Sequence, residues 1–154
     1  MKLFITEKDM KIFFHGLPVK NGRFVPLYDT KSEPYICLDR IPVKPLYTLI
    51  MFDPDAVGGM KIHWLVTNIH LRSRTCTTML PYTPPHPPMF TGRHRYFFWL
   101  VQQEKKISTL PRIHGRFLSL DRVFQSLGLS SENIVDTFFF FLLHCPSMLR
   151  AIVS

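Results

Sequence analysis

The sequence predicts a mostly β protein, a β-rich α+β chain with minor helix, and three observations carry that reading. Thirteen prolines in 154 residues interrupt any long helix. Apolar runs of strand length, bounded by turn residues, recur along the chain. Helical spacing of apolar residues is confined to Leu118–Leu127. No repeat and no linker divides residues 1–154, so a single domain is expected.

The elements follow in chain order. Residues 1–34 alternate short apolar pieces with turns at His15–Gly16–Leu17–Pro18 and Lys20–Asn21–Gly22–Arg23. The Asn-Gly pair in the second favours a tight hairpin. Tyr35–Leu38 reads as a short strand. Leu46–Phe52, held between Pro45 and Pro54, reads as a buried strand, with Asp53–Pro54–Asp55 as its loop and Gly58–Gly59 continuing the turn. Ile62–Leu71 is the next strand. A period of two places His63, Leu65, Thr67 and Ile69 on one face and Ile62, Trp64, Val66 and Asn68 on the other.

Pro81–Pro88 contains five prolines in eight residues, too rigid for a helix and poor for a ladder. It reads as a rigid loop or as a polyproline ligand for another domain. Arg95–Gln103 is apolar on both faces, so a central strand is expected there. Leu118, Leu120, Val123, Phe124 and Leu127 mark one helical face that Gly128 stops. Thr137–Leu143 supplies a last apolar strand.

Composition narrows the classes. With 46% apolar and 19% charged residues the chain folds rather than staying disordered. Its longest apolar runs, Leu46–Phe52 and Phe138–Leu143, fall far short of the ~18–20 residues of a spanning helix. Leu3–Ile5 is too short for a signal-peptide core, so a cytoplasmic location is expected. Cys37, Cys76 and Cys145 are odd in number and form no C-x-x-C pair, as reduced thiols do. The net charge of +8 calls for an anionic partner: nucleic acid, lipid headgroup, phosphorylated protein or nucleotide. The charges are dense only at Arg93–His94–Arg95, Lys105–Lys106 and Arg72 with Arg74, and charge alone does not choose among these partners.

The informative polar residues sit at strand ends. Asp53 and Asp55 follow one apolar strand, His63 opens the next, and His94 and Tyr96 lie two apart on one side of a third. Brought together, two carboxylates, two imidazoles and a phenol suit a phosphoryl group. Imidazolium and phenol donate to its oxygens, while the aspartates stand behind and orient the imidazoles. The competing reading is local: the aspartates make turn hydrogen bonds and the histidines are satisfied nearby. No H-x₃-H or H-E-x-x-H spacing supports a metal, and no G-x-S-x-G elbow or phosphate loop supports catalysis.

Asp53-Pro54-Asp55-Ala56, His63-Trp64-Leu65-Val66-Thr67-Asn68 and the Pro-rich run from Tyr82 through Gly92-Arg93-His94-Arg95-Tyr96 resemble the phosphatidylethanolamine-binding protein family. Its signatures are an Asp-Pro-Asp-Ala-Pro loop before a His-Trp-x-Val-x-Asn strand, and a Pro-rich loop ending in Gly-x-His-Arg-Tyr. Order and spacing agree across residues 45–103, and residues 115–143 agree more loosely. The resemblance implies a central antiparallel sheet packed on a smaller sheet, with one or two short peripheral helices. It implies a pocket for a phosphate-bearing ligand or phospholipid headgroup, with Asp53, Asp55, His63, His94 and Tyr96 at the motif positions. Tyr82 matches the aromatic that opens the Pro-rich block.

It further implies a binding protein rather than an enzyme, needing no cofactor or metal. Its partners would include signalling proteins such as kinases, and contact with a membrane surface would be peripheral. Nucleic acid ranks below these, because most aromatics fall in strands that read as buried. Three positions depart from the pattern. Val57 replaces the closing proline, His86 a pocket glycine, and Phe90 a second glycine. His86 either adds a ligand contact or plugs the pocket. The plugged alternative leaves an interaction regulator with an altered, non-binding pocket. The short run beyond the last strand implies that a terminal helix bordering the pocket is short or missing.

Overall fold

The computed structural model describes residues 10–109 and 111–143. Leu3–Ile5, Cys145 and the run after the last strand lie outside the described residues. Among the described residues eight strands and one α-helix form in order: β1 (Met10–Phe14), β2 (Leu17–Pro18), β3 (Tyr35–Leu38), β4 (Leu46–Asp53), β5 (Lys61–His70), β6 (Thr75–Leu80), β7 (Arg93–Gln103), α1 (Leu120–Leu127) and β8 (Ile134–Leu143). Two antiparallel sheets result, a five-stranded one in the order β6-β5-β4-β7-β8 and a three-stranded one in the order β2-β1-β3. The expected mostly β architecture, a central sheet on a smaller one with short peripheral helix, is the one observed.

The central sheet is covered on both faces, which explains why β4 and β7 read as continuous apolar runs. On one face Tyr47, Leu49, Met51, Trp64, Phe98 and Phe140 pack against Met10, Ile12 and Phe14 of the small sheet. On the other, Ile50, Phe52, Ile62, Leu65 and Val101 pack under Val123, Phe124 and Leu127 of α1. Ser119 caps α1, its hydroxyl accepting from the Arg122 amide at 3.3 Å. Gly128 ends it at φ 64°, a left-handed conformation that favours glycine.

Several elements differ from the sequence expectation. The tight hairpin forms at His15–Gly16, not at Asn21–Gly22. Both His15 and Gly16 have positive φ, 50° and 75°, as a type I′ turn requires, and Phe14 pairs Leu17 across it. Asn21–Gly22 is a turn, but it docks on the outer edge of β8. The Asn21 carboxamide accepts from the Phe139 amide at 3.0 Å, and the Gly22 amide donates to the Phe139 carbonyl at 2.7 Å. That edge is thereby closed to further pairing. Strand β6 had no counterpart in the sequence reading. Asp53 ends β4 instead of opening the loop.

The strict alternation assigned to Ile62–Leu71 also fails. A register shift opposite Met51 and Phe52 leaves His63 as an extra residue between Ile62 and Trp64. Ile62 and Leu65 therefore share the helix-covered face, while Trp64 and Val66 face the small sheet. The bulge turns His63 away from Leu65 and against the ring of Tyr96, centroids 5.3 Å apart.

The opposite end of the sheet is fastened by a buried amide network. The Gln103 carbonyl oxygen accepts from the Thr48 hydroxyl at 2.9 Å and the Asn68 amide at 2.8 Å, while its NH₂ donates to the Asn68 side chain at 2.9 Å. Gln103→Ala strands these buried groups, so we expect a loss of about 1–3 kcal/mol in urea unfolding. An unchanged midpoint would show that water replaces the amide.

Candidate functional site

At the other end of the sheet, the ends of β4, β5 and β7 and the Pro-rich segment enclose a cavity of about 140 Å³. Its walls include Asp53, Lys61, His63, His86, His94 and Tyr96, with Val57, Pro87, Pro88 and Phe117 on its apolar side. Five of the seven sequence-predicted residues thus meet at one place. Asp55 and Tyr82 lie outside the cavity wall and fasten the loops around it.

Asp53 is buried at the floor. Its Oδ2 faces His94 Nδ1 at 2.8 Å and its Oδ1 accepts from the Asp55 amide at 2.7 Å. The Thr91 hydroxyl donates to the Pro88 carbonyl at 2.6 Å, which leaves its oxygen to accept from His94 Nε2 at 2.8 Å. Both ring nitrogens of His94 are therefore engaged inside the protein. The Tyr96 ring stacks near His94, centroids 6.5 Å apart. Burial and the negative charge of Asp53 push its phenol well above the usual range, so it keeps its proton.

His63 is held differently. Its Nδ1 lies 2.7 Å from the Thr83 carbonyl, which can only accept, so the proton sits on Nδ1 and Nε2 carries a lone pair. Burial lowers its pKa to about 4, against a weaker opposing pull from the Thr83 carbonyl. The expected imidazolium donor is not found at this position: His63 is a neutral acceptor at neutral pH. A cation there would have to be desolvated with no carboxylate in contact.

The surrounding loops are tied by specific bonds. Asp55 takes three hydrogen bonds from Arg95, from its amide, Nε and Nη2, each at 2.9 Å. Those bonds hold the Asp55 carboxyl below its ordinary range. The Tyr82 hydroxyl donates to the Thr30 carbonyl at 2.6 Å and anchors the start of the Pro-rich segment. Arg116 joins that segment to β5, donating to the His63 carbonyl at 3.1 Å and the Pro81 carbonyl at 2.9 Å.

Sequence reasoning missed Lys61, Thr91, Arg116 and Phe117. Lys61 had a signal, since it lies two residues before His63 on the same strand. Thr91 had none, because a loop threonine looks the same whether or not it caps a ring. A larger cavity of about 640 Å³ lies between β3, β5 and β6. It is lined mainly by apolar side chains and holds none of the seven predicted site residues.

The structure is thus a two-sheet antiparallel β scaffold with a small polar cavity at its strand ends. The chain belongs to the phosphatidylethanolamine-binding protein family, whose model matches residues 17–135. It is 27% identical over 126 residues to the TERMINAL FLOWER 1 protein of Arabidopsis thaliana, covering 75% of this chain and 69% of that protein. A 26 kDa secreted antigen of Toxocara canis is 32% identical over 104 residues, covering 63% of this chain but only 39% of the nematode protein. Among solved structures, a phosphatidylethanolamine-binding protein from Plasmodium vivax superposes with a TM-score of 0.69 at 24% identity, over 88% of this chain and 85% of the other.

Proposed function

We propose that the chain is a non-enzymatic binding protein whose cavity holds a phosphate-bearing group, a phospholipid headgroup or the phosphate of a phosphorylated molecule. One observation carries this reading. A cavity only large enough for such a group brings Lys61 over a carboxylate already spent on His94, the Asp55 amide and the Tyr96 phenol. Anionic oxygens would meet donors there and no free carboxylate.

The two histidines then have separate roles. A ligand oxygen takes the place of the Thr91 hydroxyl on His94 Nε2. His63 Nε2, an acceptor, needs a hydrogen from the ligand, which a phosphomonoester supplies from its singly protonated phosphate and a phosphodiester headgroup from its ammonium. Phosphomonoester binding should therefore tighten as pH falls toward about 6, where the dianion takes up one proton. Histidine ring resonances followed by NMR during titration with phosphate and phosphoethanolamine test this. Saturable shifts at His63 and His94, stronger at pH 6 than at pH 8, are expected. No shift at millimolar ligand would overturn the reading.

A second reading has its own observation. The Thr91–His94 bond closes the ring from within, and His86 occupies a wall position where the family pattern has glycine. A regulator acting through protein contacts alone, on a signalling partner such as a kinase, would keep this closed arrangement. The same titration, silent at every pH, favours it.

A further inference from the structure

We propose that the groove between the two sheets takes up an extended, acidic segment of a partner protein, which joins the small sheet as a fourth strand beside β3. The proposal stands apart from the phosphate-binding reading and uses none of its residues.

The two sheets are unequal. Five strands stand against three, and β3 ends the smaller sheet. Beyond it, the cavity of about 640 Å³ opens over β5 and the start of β6. Its floor includes Leu49, Trp64, Val66 and Leu100, all on the face that the small sheet packs against elsewhere. The core between the sheets is therefore left open along one side of β3.

The backbone of β3 is open on that side as well. In an antiparallel pair, opposed residues either exchange both backbone bonds or turn both backbones away from each other. Ile12 turns toward β2, since its carbonyl accepts from the Val19 amide at 2.8 Å, and Met10 likewise directs its amide to Asp136. Their opposites on β3, Ile36 and Leu38, therefore aim N–H and C=O away from β1, at the free edge. Among the described residues no hydrogen bond reaches these four groups. Asn21–Gly22 covers the outer edge of β8 in the other sheet, but β3 has no such cover. Its Tyr-Ile-Cys-Leu run carries neither a charge nor a proline to deter pairing.

A strand added here would exchange backbone bonds with Ile36 and Leu38 and point alternate side chains into the groove. It would also bring backbone carbonyls to the wall that holds Trp64. The Trp64 indole nitrogen is the one buried side-chain polar atom without a hydrogen-bond partner among the described residues. Charge selects an acidic segment. From Ala56 through Gln103, a stretch that includes β5 and β6, the chain contains no aspartate or glutamate. Arg74 lines the groove without an ion pair among the described residues. Asp39, the one carboxylate on the wall, is held by Lys11 and by the Cys37 thiol, each at 3.3 Å. A second copy of the chain would bring a further +8 of charge to the same place. A small apolar ligand would leave the four backbone groups to water.

The test is selection of peptides from a random twelve-residue phage library on the full chain, followed by amide hydrogen exchange with the selected peptides. In the free protein, Tyr35 and Cys37 amides should be protected and those of Ile36 and Leu38 should exchange fast. Selected peptides should alternate apolar residues, carry aspartate or glutamate, and slow exchange at Ile36 and Leu38 about tenfold or more. Ile36→Pro removes an N–H that no bond in the fold uses, so it should keep the exchange pattern of β1 while weakening peptide binding about tenfold. Arg74→Glu, on an exposed turn, should weaken binding with the fold intact. Should Ile36→Pro not fold, wild-type exchange and Arg74→Glu decide between them. No selected peptide, peptides that leave Ile36 and Leu38 unprotected, or equal binding by Arg74→Glu and wild type would each overturn the proposal. Protection of Ile36 and Leu38 without peptide would also overturn it, and would point to a second copy where it grows with concentration.

Discussion

Asp53→Ala is expected to lower the unfolding free energy by about 2–3 kcal/mol, because it leaves the buried His94 Nδ1 and the Asp55 amide without their acceptor. The Asp53 side chain is 3% exposed and holds two partners, His94 Nδ1 and the Asp55 amide. Alanine strands both, and it also leaves the Tyr96 phenol beside a void. A domain stable by about 5–15 kcal/mol would lose much of its margin. Asp53→Asn keeps the size and an acceptor for the Asp55 amide but removes the charge facing His94, so an intermediate loss is expected. Urea unfolding at pH 7 measures both. A loss below about 1 kcal/mol for alanine would show that the pair contributes nothing that water cannot replace.

The second large effect is a dependence of stability on pH through His63. Its pKa is about 4 in the fold, against an ordinary value of 6.5. As pH falls below 6.5 the unfolded chain takes up a proton that the folded chain refuses, so the unfolded state gains. Stability from this group is full above pH 6.5, declines between pH 6.5 and about 4, and levels off below. The whole drop amounts to about 3 kcal/mol at ~1.4 kcal/mol per pH unit. His63→Asn, which retains a donor for the Thr83 carbonyl, should remove this part of the acid sensitivity. The difference between the two unfolding curves from pH 7.5 to 4 isolates it from other titrating groups. Parallel curves would mean that His63 is solvated and protonates freely.

The strands that were legible in the sequence are those buried on both faces. Leu46–Phe52 and Arg95–Gln103 announce themselves because two covered faces demand an unbroken apolar run. β6 was not legible, since Thr75–Leu80 is an edge strand with mixed exposure and no clean alternation. The Asn-Gly pair misled for a different reason. Local turn preference says that a turn forms, but only the tertiary fold decides which strand lies beside it, and here that strand is β8.

The site shows the same division. His94 and Tyr96 share a face because their strand is regular. His63 does not follow its own period, because a bulge is a relation between two strands and is invisible in one. The Asp55 fork on Arg95 and the Thr91 cap on His94 join loops to strands through single side chains, which composition and periodicity cannot register. Five of the motif-derived residues line one cavity, but the motif could not say that His63 faces it as an acceptor.

The docking of Asn21–Val25 along β8 has a consequence for how the chain assembles. Arg23 and Phe141 exchange a backbone bond, and the Met10 amide donates to Asp136 at a separation of 126 residues. The early residues therefore find their partners only after nearly the whole described sequence has been synthesised. Pairings this distant carry a loop-closure cost that must be met before they are rewarded, which places folding on the millisecond-to-second scale of non-local β topologies. Until residue 143 has emerged, β7 offers the nascent chain an unpaired and strongly aromatic edge. This interval, more than the finished fold, is where the protein is exposed to aggregation and to chaperone capture.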